Sequence, residues 1–192
     1  MLNLHKIFGM KQRLYKFIFF QLMGWKISDA TNLNVKKCVF MVFPHTSWHD
    51  FYLGLFTRGI TGVPMHFVGK KELFKFPFGW YFKWMGGKPL DRTGNLNKVE
   101  AIAKTFDNYD ELRLAIAPEG TRKHVTELKS GFYYIALKAN VPIIPVAFDF
   151  GKKEVCIGKP QIPCGDYEKD LKIYSDFFKD VKGKYPEKQF IF

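Results

Sequence analysis

The chain has little of what staples small or metal-bound folds. Its 192 residues include three cysteines, Cys38, Cys156 and Cys164, odd in number and without a Cys-x-x-Cys pair. That pattern argues against a disulfide framework or a zinc site and for a reducing compartment. His5, His66 and His124 have no ligand-like spacing to one another, so no metal site is expected. No run reaches the ~18–20 apolar residues of a spanning helix. No small-x-small cleavage site follows the apolar stretch Leu14–Trp25 before Asp29, which argues against a signal peptide. Acidic residues are scarce as well, 18 against 30 Lys and Arg, for a formal charge of +12.

That scarcity is uneven. Residues 1–40 hold seven basic residues and one acid, and residues 41–92 hold seven and three, whereas residues 93–151 balance at seven each. Aromatics reach 18%, with 21 Phe, and many crowd the same basic half. A basic, aromatic chain fits either nucleic acid or an anionic membrane surface. No strand resembling the aromatic signature of RNA-binding sheets is present, so the membrane surface is the expected partner and nucleic acid is not. Residues 3–25, with Lys6, Lys11 and Arg13 ahead of the apolar stretch, read as an amphipathic helix in the membrane interface with Trp25 near the headgroups. The competing reading is a first helix packed on the domain.

At 47% hydrophobic the chain has enough apolar residues for one buried core, and no linker or repeat divides it. Strand-like runs at 36–43, 66–69, 87–92, 112–117, 141–148 and 154–157 alternate with helical patterns. The helices are expected from about Trp48 to Thr57, capped by Thr46 or Ser47, in short pieces over 71–85, from an Asn95 cap through Phe106, over 131–139, and from Tyr167 to about Val181. The alternation predicts a single α/β domain over 1–192, with a largely parallel sheet flanked by helices.

Two motifs stand where loops leave strand ends, the position at which such sheets build their sites. His45 and Asp50 follow the first apolar strand. Five residues turn ~500° on a continuous helix, so the pair meets only if His45 lies in a loop that leads into the helix carrying Asp50. Asp50 would then hold one ring nitrogen and leave the other to take a proton from an alcohol. His49 is the poorer base, because its neighbour Asp50 faces away from it on a helix. Glu119-Gly-Thr-Arg122 follows the 112–117 strand. Gly120 permits a tight turn, Arg122 offers a bidentate fork to phosphate or carboxylate, and Glu119 could orient Arg122 or accept from a substrate hydroxyl. Arg92 is a further strand-end cation within reach of the same anion.

In order, His45-x4-Asp50, Gly86-Gly-x-x-x-Asp-Arg92, Glu119-Gly-Thr-Arg122 and Val141-Pro-Ile-Ile-Pro145 resemble the four blocks of the glycerolipid acyltransferase family, which includes lysophosphatidic acid acyltransferases. The resemblance covers residues 40–150, and Leu128-Lys-Ser-Gly131 is similar to the segment after the third block. It implies His45 as general base, Asp50 as its orienting partner, and an acceptor phosphate site shaped by Arg92, Glu119, Gly120, Thr121 and Arg122. It further implies an acyl-CoA or acyl-ACP (acyl carrier protein) thioester as co-substrate, no metal or other cofactor, and the cytoplasmic face of a membrane. Pro44 stands where the family often has asparagine, and Pro89 where it often has a β-branched or aromatic residue. Lysophosphatidic acid is the leading acceptor on this resemblance, with a lyso-aminolipid as runner-up. A non-catalytic lipid-binding protein on the same fold is the alternative of another class.

Overall fold

The computed structural model describes residues 4–90 and 98–192. Its centre is β2 (Lys37–Val42), whose register runs parallel to β5 (Leu112–Ile116) on one side and to β6 (Ile143–Asp149) on the other. The sheet continues from β6 through the antiparallel β7 (Glu154–Ile157) to a short parallel edge strand, β1 (Lys26–Ser28). The order is therefore β1-β7-β6-β2-β5, largely parallel as expected.

A strand covered on both faces is apolar at nearly every position, and β2 and β6 obey that rule. Along β2, Val39 and Met41, followed by Phe43, point into one core, while Cys38 and Phe40 point into the other. The first core is closed by α5 (Gly131–Ala139) and α6 (Tyr167–Phe178), which contribute Phe132, Ile135, Tyr174 and Phe178. α4 (Lys98–Thr105) packs beside α5 on that side. The second core lies under α2 (His49–Thr61), which buries Leu53, Thr57 and Ile60 at helical spacing. Gly62, at φ +73°, ends α2 in the left-handed conformation.

α1 (Leu4–Lys16) runs into a π-helical stretch over Phe17–Leu22 and leans on α2. Gln12 donates to the Ile60 carbonyl at 2.6 Å, and the Tyr15 ring meets Phe56 edge-on at 5.6 Å. Met10, Leu14 and Phe17 stay exposed on its outer side. Trp25 is not at the surface: it is 6% exposed, edge-on to Phe150 at 5.0 Å. The chain turns inward after the π-helical stretch to pair β1 with β7, and that carries the indole into the core.

β3 (Phe67–Lys70) and β4 (Gly87–Leu90) form a separate two-stranded parallel sheet, joined to the main one by a bridge from His66 to Leu114. Between them α3 (Gly79–Trp84) is a short helix. The expected Asn95 cap and Arg92 both lie outside the described residues.

One polar network is buried between α5 and α6. The Tyr133 hydroxyl donates to Asp170 Oδ2 at 2.9 Å and accepts from the Gly165 N–H at 2.9 Å, while the Cys164 N–H donates to the same carboxylate oxygen at 2.7 Å. Burial, together with Asp170, pushes the Tyr133 phenol up to about 12. Burial also acts against the Asp170 charge, but the bonds from Cys164 and Tyr133 win and hold its carboxyl below the usual value. Tyr133→Phe strands the Gly165 N–H and removes one donor from Asp170, so a loss of ~1–3 kcal/mol in urea unfolding is expected.

Candidate active site

The parallel register places Phe40 beside Ala115 and Met41 beside Ile116, so β2 and β5 end side by side and release their loops at the same edge. His45 leaves the first loop and Asp50 sits in the first turn of α2, where a carboxylate is favoured by the helix dipole. This is the loop-then-helix arrangement the pair requires. His45 Nδ1 lies 2.9 Å from Asp50 Oδ2, which also accepts from the Ser47 N–H at 3.1 Å. A buried carboxylate opposite Nδ1 favours the proton on that nitrogen and leaves Nε2 able to accept one. Asp50 is 2% exposed at its side chain and His45 26%, so the imidazole reaches the cleft while its partner does not. Asp50 Oδ1 has no hydrogen-bond partner among the described residues, which leaves Oδ2 to hold both groups.

His49 is committed elsewhere. Its Nδ1 lies 2.8 Å from Ser47 Oγ, and Lys184 Nζ donates to its Nε2 at 2.7 Å. Neither nitrogen is free to serve as a base. Ser47 Oγ also accepts from the His49 N–H at 3.2 Å and so helps to start α2.

Glu119 does something the sequence did not reveal. It is 1% exposed, and its Oε2 accepts from the His45 N–H at 2.6 Å. Burial pushes its carboxyl up to about 7, against the opposing effect of hydrogen bonds from the backbone of His45 and Phe190. The side chain thus holds the backbone of the His45 loop, and among the described residues no bond joins it to Arg122.

The C-terminal segment completes this support. Besides the Phe190 contact, the Tyr185 N–H donates to Thr46 Oγ1 at 3.2 Å, and the Phe192 ring meets Phe43 at 5.1 Å. Residues 184–192 therefore hold His45, Thr46 and His49 from behind.

His45 stands between two cavities. One is a cleft of about 750 Å³ whose polar lining comes from His45, Thr121, Arg122 and Lys129. Gly120, at φ +64°, makes the turn that brings these together: a Cβ there would lie 2.7 Å from Lys129 Nζ. Arg122 is exposed toward solvent. Lys129 is a cation that motif reading named only as part of a flanking segment. The other cavity is apolar, about 490 Å³, and runs between the sheet and α2–α3, with Phe40, Phe51, Leu55, Phe82 and Val146 in its walls. His66 also lines it, and burial, reinforced by Lys88, lowers its imidazole to about 4, so the ring is neutral at pH 7. Among the described residues no group of three or more His, Cys, Asp or Glu could hold a metal ion.

A histidine tied to a buried aspartate, set where a cationic cleft meets an apolar cavity on a parallel α/β sheet, has the chemistry to take a proton directly from an acceptor hydroxyl, as acyl transfer without a serine or cysteine nucleophile requires. The model of the family described as Acyltransferase matches residues 24–149, and the chain belongs to that glycerolipid acyltransferase family. The 1-acyl-sn-glycerol-3-phosphate acyltransferases of Salmonella typhimurium and Escherichia coli K12 are each 30% identical over 128 residues, covering 58% of this chain and 52% of theirs. That of Haemophilus influenzae is 36% identical over 86 residues, covering 41% of this chain and 35% of its own. The chain spans about half the length of these curated relatives. The crystal structure of the 1-acyl-sn-glycerophosphate acyltransferase PlsC from Thermotoga maritima shares the fold, with a TM-score of 0.62 and 21% identity over 93% of this chain and 81% of that one.

Proposed function

We propose that the chain is an O-acyltransferase that moves a fatty acyl group from an acyl-CoA or acyl-ACP thioester to the free hydroxyl of 1-acyl-sn-glycerol 3-phosphate, giving phosphatidic acid. The observation that carries this reading is the position of His45 at the junction of the cationic cleft and the apolar cavity. The relatives named above carry the same acceptor in their names.

In this reading the acceptor's phosphate occupies the cleft, paired with Arg122 and Lys129, with Arg92 a further phosphate cation on the family resemblance, while the acyl chain of the thioester fills the apolar cavity. The acceptor hydroxyl gives its proton to His45 Nε2 as its oxygen attacks the thioester carbonyl carbon. Asp50 stabilises the imidazolium, and the tetrahedral intermediate collapses with cleavage of the C–S bond. His45 then returns the proton to the leaving thiolate. Gly120 and Thr121 shape the phosphate side of the cleft, and Glu119 holds the His45 loop. The exposed outer side of α1 lies on the lipid at the cytoplasmic face, where its basic residues meet anionic headgroups. Among the described residues no helix is long and apolar enough to cross a membrane.

The test is thiol release from palmitoyl-CoA and palmitoyl-ACP, with lysophosphatidic acid, lyso-aminolipid or no acceptor, and lipid products identified by mass spectrometry. Release that depends on lysophosphatidic acid supports the reading. Release that depends only on lyso-aminolipid moves the acceptor, and none with any acceptor moves the protein to a binding role. Arg122→Ala should lower kcat/KM for the phosphorylated acceptor by ~10–100-fold, the worth of a hydrogen bond to a charged group. An unaltered value removes Arg122 from the phosphate site.

A further inference from the structure

The loop and helix between β3 and β4 carry a dense group of exposed aromatic rings outside the cleft. Phe76 is 97% exposed, Trp80 71%, Phe78 66% and Trp84 64%, four large rings within nine residues. Lone exposed apolar residues are ordinary on protein surfaces; a contiguous group of this size marks something that covers it. Exposed Lys75 and Lys83 stand among these rings, and the 41–92 segment holds seven basic residues against three acids. Trp beside Lys on a short apolar projection is the composition that settles at a bilayer's headgroup level.

The inner side of the same helix has a different task. Phe82 and Met85 form a wall of the 490 Å³ apolar cavity that His45 also lines. Arg58 Nη1 of α2 donates to the Trp84 carbonyl at 3.2 Å and ties the end of α3 to the opposite wall. Phe51 lines this cavity and is still 37% exposed, so the gap between α2 and α3 opens to the outside. The exposed rings and the cavity are therefore two sides of one helix.

We propose that the Phe76–Trp84 segment inserts into an anionic bilayer as a contact separate from α1, and that the gap beside Phe51 is a lateral portal through which an acyl chain passes from lipid into the cavity without crossing water. The membrane contact stands on the surface alone; only the identity of the chain in the portal rests on the acyl-transfer reading. The portal also gives α3 its position: a cavity fed from lipid needs its mouth at the depth of the acyl chains, and the rings beside the mouth set that depth.

The test uses the full chain and vesicles of phosphatidylcholine and phosphatidylglycerol at 3:1, with phosphatidylcholine alone as control and no substrate present. Tryptophan fluorescence is expected to be quenched by lipids brominated along the acyl chain, and the quenching to fall by more than half in Trp80→Phe/Trp84→Phe, which retains buried Trp25 and half-exposed Trp48. Vesicle binding is expected to weaken tenfold or more in Phe76→Ser/Phe78→Ser. That variant should still consume a short, water-soluble thioester and acceptor at the wild-type rate, because those chains need no portal. Undiminished quenching in Trp80→Phe/Trp84→Phe, or unchanged vesicle binding by Phe76→Ser/Phe78→Ser, overturns the proposal. So does a concentration-dependent dimer abolished by the same substitutions without vesicle binding, which would assign the rings to a second copy of the chain. Quenching and binding are read without turnover. Failure of the membrane contact is thereby distinct from failure of the acyltransferase reading.

Discussion

His45→Ala is expected to lower acceptor-dependent acyl transfer by ~10²–10⁴-fold, the usual contribution of a positioned general base. The geometry behind that expectation is specific. Nδ1 is held 2.9 Å from a carboxylate that is 2% exposed, so the ring can rotate little and its tautomer is set before substrate arrives. Nε2 has no partner among the described residues, whereas both nitrogens of the neighbouring His49 are occupied by Ser47 and Lys184. Among the described residues no other imidazole lines the cleft, and His66 lines the apolar cavity instead. The loss should fall on kcat, because the acceptor's phosphate contacts survive the substitution. Stability should fall by ~1–3 kcal/mol, since the buried Asp50 carboxylate loses one of its two donors while the backbone N–H that Glu119 holds is still there. Acyl transfer at the wild-type rate by folded His45→Ala would remove the general base from the mechanism altogether.

How much of this was legible beforehand differs from element to element. β2, β5 and β6 are apolar runs bounded by polar residues and proline, and strands buried on both faces must look that way. The His45–Asp50 pair was legible because five-residue spacing excludes a shared helical face and so demands the loop that is found. β1 was not, for its three residues Lys26–Ser28 carry no period and form a strand only because β7 offers an edge. Trp25 misled for a related reason: an aromatic at the end of a basic, apolar helix has the composition of an interfacial anchor, and only the β1–β7 pairing turns it inward. Glu119 is the more instructive case. A carboxylate three residues from an arginine suggests an ion pair, but sequence does not show that β5 ends beside β2, and that adjacency delivers Glu119 to the His45 N–H. The support from residues 184–192 has no local signature at all, since its partners are the side chains of Thr46 and His49, more than a hundred residues earlier.

Glu119→Gln is expected to make the protein more stable and less active above neutral pH. The carboxyl is moved from its ordinary 4.5 to about 7, chiefly by burial. Because the folded value is the higher one, the unfolded chain gives up this proton near pH 4.5 while the native state keeps it until about 7. Unfolding therefore releases a proton in that window and is favoured by raising the pH. The stabilisation from this group is complete below 4.5, is lost as pH rises toward 7, and is absent beyond it. At about 1.4 kcal/mol per pH unit, the swing is ~3 kcal/mol. Glutamine keeps a carbonyl oxygen for the His45 and Phe190 N–H groups but cannot ionise, so the variant should escape this loss. Urea unfolding of both proteins at pH 4.5, 6 and 8 should show curves that diverge by ~3 kcal/mol in favour of Glu119→Gln as pH rises. Activity should move the other way. The ionised carboxylate makes charge-assisted bonds about twice as strong as those of an amide, and it is the charged form that grips the catalytic loop tightly. Loosening that loop displaces His45 from the acceptor hydroxyl, and a shift of the order of 1 Å lowers the rate by ~10²-fold. If both shifts are found, the cost of this buried charge is offset by its hold on the His45 loop. Parallel stability curves would show that Glu119 does not titrate in the native state as burial dictates, and undiminished activity in the variant would show that the clamp on His45 does not need the charge.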